Sequence, residues 1–100
     1  MNYSDGSKVL LGDVVALPVP DGTQEAQVVM LGDTLTHLDL EEHFVDWVIQ
    51  EKLLDGSRVV VQWLAENPFR HSKPSYAPIG DKMFTPVDEF VELVKRAGVQ

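Results

Sequence analysis

Alternating apolar and polar positions predict three β-strands in the first two thirds of the chain. Val14–Val19 is rich in β-branched residues, and the Asp21-Gly22 pair that follows is typical of a tight hairpin turn. We therefore expect residues 14–19 to pair in antiparallel fashion with residues 24–31. A further alternating stretch at residues 58–64 predicts a third strand.

The second of these strands is predicted to alternate strictly along its length. Ala26, Val28 and Met30 then fall on one face of the strand, and Val29 falls on the other. A turn at residues 31–33 is expected to close the strand.

A helix is predicted for residues 39–54. Asp39 is placed to accept hydrogen bonds from the amides of the first turn, and Glu42 follows three positions later, as in a capping box. At about 100° per residue, two roughly opposite apolar stripes result, made of Leu40, Phe44, Trp47 and Leu54 and of Val45, Ile49 and Leu53. Since one core contact needs only one stripe, either the helix is covered on both sides or one stripe meets a partner.

The C-terminal residues predict a second helix over residues 86–97. Thr85 is its expected cap, Pro86 suits the first helical position, and Asp88 completes a T-x-x-D box. The apolar side of this helix is expected to consist of Phe90, Val91, Val94 and Ala97.

A long irregular segment, residues 65–84, separates the third strand from this second helix. It contains three prolines and shows no regular period. Loops of this length are uncommon in compact domains and are often functional. The alternative is an ordered loop that covers a sheet edge with Phe69, Tyr76, Ile79 and Met83.

These elements together predict an α+β fold, a small antiparallel sheet or SH3-like barrel with two packed helices. Residues 1–100 are expected to form a single domain, because this length supports one core. A composition with 44% hydrophobic and 24% charged residues is ordinary for a folded globular protein. The chain has no cysteine, and neither a signal peptide nor a transmembrane run is recognisable, so a cytoplasmic location is expected.

The net charge of −8 is concentrated in the first half of the chain. Residues 1–55 contain eleven acids and two bases, whereas residues 56–100 contain five acids and six bases. Such a charge repels phosphate backbones, so nucleic-acid binding is disfavoured, and it attracts a basic partner. The alternative is that the charge only keeps a small protein soluble.

No complete catalytic, cofactor or metal motif is present. His37, Asp39 and His43, with Glu41 or Glu42, are the best metal candidates, but they lack the spacing of an H-E-x-x-H site. No serine stands in a nucleophile elbow, and the glycines are isolated turn residues without a phosphate loop. We therefore expect a protein that is not an enzyme and binds no cofactor.

Two stretches resemble a known class of proteins. YSDGSKVLLGDVV, residues 3–15, and NPFRHSKPSYAPIGDKMFTPVDEFVELV, residues 67–94, are similar to small immunity proteins of Gram-negative, Pseudomonas-like bacteria. These proteins are cognate to polymorphic or type VI secretion toxins. The resemblance implies a non-catalytic inhibitor that binds its toxin in the producing cell, covering the active site or blocking assembly.

Charge and resemblance together suggest where a toxin would bind. Many antibacterial toxins are nucleases with basic clefts, which an acidic inhibitor can approach rapidly. The expected partner-binding surface comprises the acids of the first helix, its tryptophan and part of the long loop: Asp39, Glu41, Glu42, Asp46, Trp47, Glu51, Asp55, Phe69, Arg70 and Tyr76. The alternative is that Trp47 belongs to the core and the acids form the solvated side of the helix. The rival function is a regulatory or scaffold module with an SH3-like sheet that binds a peptide or protein at an exposed edge.

Overall fold

The computed structural model describes residues 1–19, 22–64 and 82–96. Three of its strands agree with the segments predicted from alternation, which confirms those predictions. In the described residues the elements are, in chain order, β1 (Val14–Val19), β2 (Gly22–Leu31), α1 (Glu42–Gln50), β3 (Arg58–Trp63), β4 (Lys82–Pro86) and β5 (Glu92–Lys95).

The five strands form one antiparallel sheet in the order β4-β3-β2-β1-β5. The last strand returns to pair with the first, opposite Val14–Ala16, and leaves the proline-containing end of β1 without a partner from β5. This arrangement satisfies the rule that a proline, which lacks an N–H, lies where a strand is not paired on both sides. Leu17 of β1 and Met83 of β4 line one groove although two strands separate them in the sheet, so the sheet is strongly curved.

The predicted fold class, with two packed helices, is wrong, because the described residues contain five strands and one helix of nine residues. Over residues 86–96 the expected second helix is instead the end of β4, a turn and β5, and Ala97 lies outside the described residues. Pro86 pairs with Arg58 of β3, and the Asp88 carboxylate accepts a hydrogen bond from the Phe90 amide at 2.9 Å within the turn. The residues that resembled a helix cap therefore end a strand and shape a turn.

The apolar pattern of this C-terminal region also fits a strand better than a helix. Val91 is buried and Leu93 packs against the same core, two positions apart as strand alternation requires. Phe90 and Val94, which the helix prediction assigned to a buried face, are 63% and 50% exposed. Pairing with the open edge of β1 overrides the local helical signals.

The sheet has two apolar faces. On the closed face, all five strands contribute to a core that the N-terminal segment also covers through Tyr3 and Val9. On the helix face, α1 and the residues flanking it pack against β2, β3 and β4. Val60 and Val61, consecutive residues of β3, are both fully buried, one on each face.

Because β2 contains a bulge, Met30 does not share a face with Val28 as predicted. Val28 pairs with Val61 and Met30 pairs with Val60, so the intervening Val29 is an extra residue on β2. Val28 packs on the closed face, whereas Val29 and Met30 both pack on the helix face. The bulge lets the strand contribute two consecutive side chains to the core beneath the helix.

Helix α1 is shorter than predicted at both ends. Asp39 has a left-handed φ of 51° and precedes the helix, and the N-cap residue, Glu41, makes no side-chain capping bond, so the predicted capping box is wrong. At the other end Lys52 adopts a left-handed φ of 53°. The Lys52 and Leu53 amides donate to the carbonyls of Ile49 and Val48 at 3.2 and 3.1 Å, respectively, the pattern of a Schellman cap.

The connection that carries α1 is closed at its base by main-chain contacts. The Gly32 amide, directly after β2, donates to the Arg58 carbonyl at 2.9 Å at the start of β3. A Cβ atom on Gly32 would lie 2.0 Å from the Asp55 carbonyl oxygen, so only glycine fits this approach. These main-chain contacts hold the two ends of the loop formed by residues 33–57 close together.

Candidate functional site

The acidic segment, residues 39–55, lies on the surface of the protein. Its one basic residue is Lys52. Every predicted partner-binding residue in it is exposed: Asp39, Glu41, Glu42, Asp46, Trp47, Glu51 and Asp55. The other three predicted contacts, Phe69, Arg70 and Tyr76, lie outside the described residues.

Helical geometry places Glu42 and Asp46 on a different side of α1 from Trp47. Val45 and Val48 are buried against the sheet. At about 100° per residue, Trp47 lies at one margin of the exposed surface, whereas Glu42 and Asp46 lie one turn apart toward the other margin. A molecule that covers the exposed side of the helix contacts both.

Trp47 belongs to an aromatic cluster with Phe44 of the helix and Phe84 of strand β4. The Trp47 ring centroid lies 6.0 Å from that of Phe44 and 6.2 Å from that of Phe84, in tilted and edge-on geometry, and the two phenylalanine rings stack at 6.2 Å. Trp47 remains 49% exposed, so it is not a core residue. Its orientation is fixed by two aromatic contacts while half of its surface is available for binding.

Sequence reasoning missed Phe84 and Lys82, which complete this surface from β4. The Lys82 ammonium nitrogen lies 5.6 Å from the centroid of the Phe44 ring, within the range of a cation–π contact. In strand β4, Met83 faces the closed core and Phe84 faces the helix, so alternation identifies Phe84 only when residues 82–86 are recognised as a strand.

Asp55 has a defined structural role at the end of the acidic segment. Its Oδ1 accepts hydrogen bonds from the Ser57 amide at 2.9 Å and from the Ser57 hydroxyl at 2.7 Å. These bonds hold the pKa of the Asp55 carboxyl below its usual value. The same carboxylate lies 3.9 Å from the Arg58 guanidinium. Asp55 shapes the turn into β3 and is less free to meet a partner than the acids of the helix.

The candidate metal ligands do not converge. His43 is almost fully exposed and lies 3.5 Å from the Glu41 carboxylate, also exposed. His37 is exposed and belongs to a short backbone bridge with Met30. Within residues 1–19, 22–64 and 82–96, no three His, Asp or Glu side chains are grouped to hold a metal ion.

A buried carboxylate, Asp13, stands apart from the acidic segment and joins both ends of the described chain. Its Oδ2 accepts hydrogen bonds from the Tyr3 hydroxyl at 2.7 Å, the Leu10 amide at 3.0 Å and the Arg96 guanidinium at 3.2 Å. Burial, and next the bond to Asp13, raise the pKa of the Tyr3 hydroxyl well above its ordinary value. Because these protein donors satisfy the carboxylate, we assign the cluster to stability.

The helix of the described chain, at nine residues, is too short to cross a lipid bilayer. No protein-family model, curated protein or solved structure matches the chain.

Proposed function

We propose that this protein is an immunity protein that binds and neutralises a cognate antibacterial toxin. The observation that carries the proposal is the half-exposed Trp47, which contacts Phe44 and Phe84 and lies on a helix with exposed acidic residues. Interfaces draw most of their binding energy from a few residues, with tryptophan prominent among them. Surrounding charges chiefly set the association rate and the choice of partner.

The chemistry of the surface selects a basic partner. Glu42 and Asp46 lie one helical turn apart and are exposed, and neither forms an ion pair within the described residues. Their charges are therefore available to a cationic surface such as the phosphate-binding cleft of a nuclease toxin. The toxin would meet Trp47 as its apolar anchor and the carboxylates as substitutes for phosphate groups.

The proposal predicts a larger toxin gene next to the coding sequence, and co-expression with the product of that gene tests it. We expect this protein to relieve the growth arrest that the neighbour causes and to co-purify with it. Trp47→Ser should abolish the rescue while the circular dichroism spectrum is retained, because Trp47 is half exposed.

A matched pair of charge reversals tests the role of the helix. Glu42→Lys with Asp46→Lys alters the proposed surface, and Glu25→Lys with Glu89→Lys makes the same change in net charge at exposed sites elsewhere. With purified toxin, the helix variant should associate at least about tenfold more slowly at low salt, whereas the control should change far less. Equal effects of the two variants would show that net charge, not the helix, attracts the toxin. Undiminished rescue by the Trp47 and helix variants would refute this surface.

A further inference from the structure

On the closed side of the sheet, away from α1, we infer a second binding surface that accepts a basic segment of a protein partner carrying one apolar side chain. Two neighbouring clefts form this surface. One is mostly apolar and the other is rimmed by carboxylates, and Val91 lines both. The inference does not depend on the proposed immunity function, because none of these residues belongs to the acidic segment or the aromatic cluster.

The apolar cleft has the size of a side-chain pocket. Its volume is about 140 Å³, and its walls come from β1, β4 and the turn before β5, with Leu17, Met83 and Pro86 among them. A cavity of about 150 Å³ is large enough for one benzene-sized group. Phe90, which also lines this cleft, is 63% exposed, the most exposed of the large apolar residues in the described chain. Its ring offers an apolar contact to a group that enters the cleft.

The adjoining cleft supplies negative charge. It has a volume of about 290 Å³ and is lined by Tyr3, Ser4, Asp5, Val91, Glu92 and Leu93. Asp5 and Glu92 are both exposed. The Asp5 Oδ1 accepts the Ser7 amide at 2.8 Å, and this bond, with that from the Ser7 side chain, lowers the pKa of the Asp5 carboxyl.

Arg96, whose charge helps to lower the pKa of the Asp5 carboxyl, bonds to other groups instead of filling the acidic cleft. The guanidinium of Arg96 donates to the Asp13 carboxylate and to the Lys8 carbonyl, and Arg96 does not line either cleft. The charge that Asp5 and Glu92 present is therefore complementary to a lysine or arginine side chain. An anionic occupant is disfavoured by the same two carboxylates and by Asp88 at the edge of the apolar cleft.

Selection from a library of random dodecapeptides displayed on phage, against the full-length protein, tests this inference. We expect enrichment of peptides that combine a lysine or arginine with a large apolar residue a few positions away. A fluorescent copy of the most enriched peptide is then the probe for affinity measurements by polarisation.

Three variants assign the binding to the two clefts. Phe90→Ser should lower the affinity for the probe peptide at least about tenfold, equivalent to about 1.4 kcal/mol of binding free energy. Asp5→Asn with Glu92→Gln should weaken it several-fold at low salt and less at high salt, because the lost interaction is screened. Leu64→Ser replaces another exposed apolar residue, which lines neither cleft, and should leave the affinity within about twofold of the wild-type value.

Specific outcomes would overturn the inference. They are a selection that enriches no peptide, enriched peptides without a basic residue, and a probe that binds Phe90→Ser as well as the wild type. Self-association that depends on Phe90 would assign the surface to a second copy of the chain instead. A loss of binding confined to Trp47→Ser would place the peptide on the aromatic cluster and also exclude the second surface.

Discussion

The two faces of the sheet are covered in different ways. On the closed face, strands from the whole sheet surround one core, and the buried Asp13 ties the N-terminal segment to Arg96 at the end of β5. On the helix face, one nine-residue helix covers the core and leaves Trp47 half exposed at its margin. The first face is closed by contacts distant in sequence, and the second is covered by a local element.

Because of this difference, the residues that stabilise the fold most are not the residues that are most available to bind a partner. Side chains that are packed from all sides contribute most to the free energy of unfolding, whereas exposed aromatic and charged groups are available for binding at small cost to the fold. We therefore expect substitutions of the side chains buried in the closed-face core to unfold the protein before they affect a partner. Substitutions on the exposed side of α1 should affect a partner first.

Asp13→Ala should have the largest effect on stability. The substitution leaves the buried Tyr3 hydroxyl, the Leu10 amide and the Arg96 guanidinium without their shared acceptor. We expect the free energy of unfolding to fall by about 3 kcal/mol. Urea denaturation followed by circular dichroism measures it, with Asp46→Ala, an exposed acid, as the control. If both variants unfold at the same urea concentration, Asp13 does not hold the closed face together.

Val61→Ala and Val60→Ala compare the two cores directly, since these neighbours in β3 are equally buried and differ in the face they occupy. Val61→Ala should lower the free energy of unfolding by about 2–3 kcal/mol, and Val60→Ala by about 1–2 kcal/mol. The reason is that α1 can move toward a cavity beneath it, whereas the strands that enclose the closed-face core cannot move as easily. Equal costs, or the reverse order, would contradict the proposed difference between the faces.

Tyr3→Phe tests the same buried cluster through the pH dependence of the free energy of unfolding. At neutral pH, loss of the bond to Asp13 should lower stability by about 1 kcal/mol. Because the pKa of Tyr3 is raised in the folded protein, its contribution is fully present below pH 10 and is lost as pH rises and the unfolded chain ionises. The stability advantage of the wild type should therefore fall by about 1.4 kcal/mol per pH unit above about pH 10 and change sign before pH 11.5. Urea unfolding at several pH values up to 11.5 measures this difference, and a constant difference would count against a buried, neutral Tyr3.

Lys52→Gly should have the smallest effect and the opposite sign. Lys52 adopts the left-handed conformation at the end of α1, which costs little for glycine only. We expect the variant to be more stable by about 0.5–1 kcal/mol, measured by urea denaturation. Lys52→Ala removes the same charge without relieving the strain and should bring no gain. A gain of equal size in both variants would mean that charge, not backbone conformation, determines the effect.

The sequence contained enough information for the strands of the hairpin and for β3. In Val14–Val19 and Arg58–Trp63, β-branched residues and alternation agree with the pairing that the tertiary structure requires. The surface exposure of the predicted acidic residues followed in the same way, because charged side chains near a helix start are seldom buried.

The C-terminal region could not be assigned from local signals. Thr85, Pro86 and Asp88 have the spacing of a helix N-terminus, but β1 offers an open edge that only a distant strand can fill. The same dependence on distant pairing explains the bulge at Val29, which appears only when β2 is aligned with β3. The sequence does not identify Phe84 as a member of the candidate site, because its local pattern predicts an irregular segment at residues 65–84 and a helix over residues 86–97.

The main-chain contact between Gly32 and Arg58 has a consequence for how binding specificity can change during evolution. Since the ends of residues 33–57 are fixed against each other by main-chain contacts, the pairing of β2 with β3 does not depend on which side chains the loop presents outward. A lineage can therefore replace the exposed residues of α1, or lengthen the loop, at modest entropic cost while inheriting the sheet unchanged.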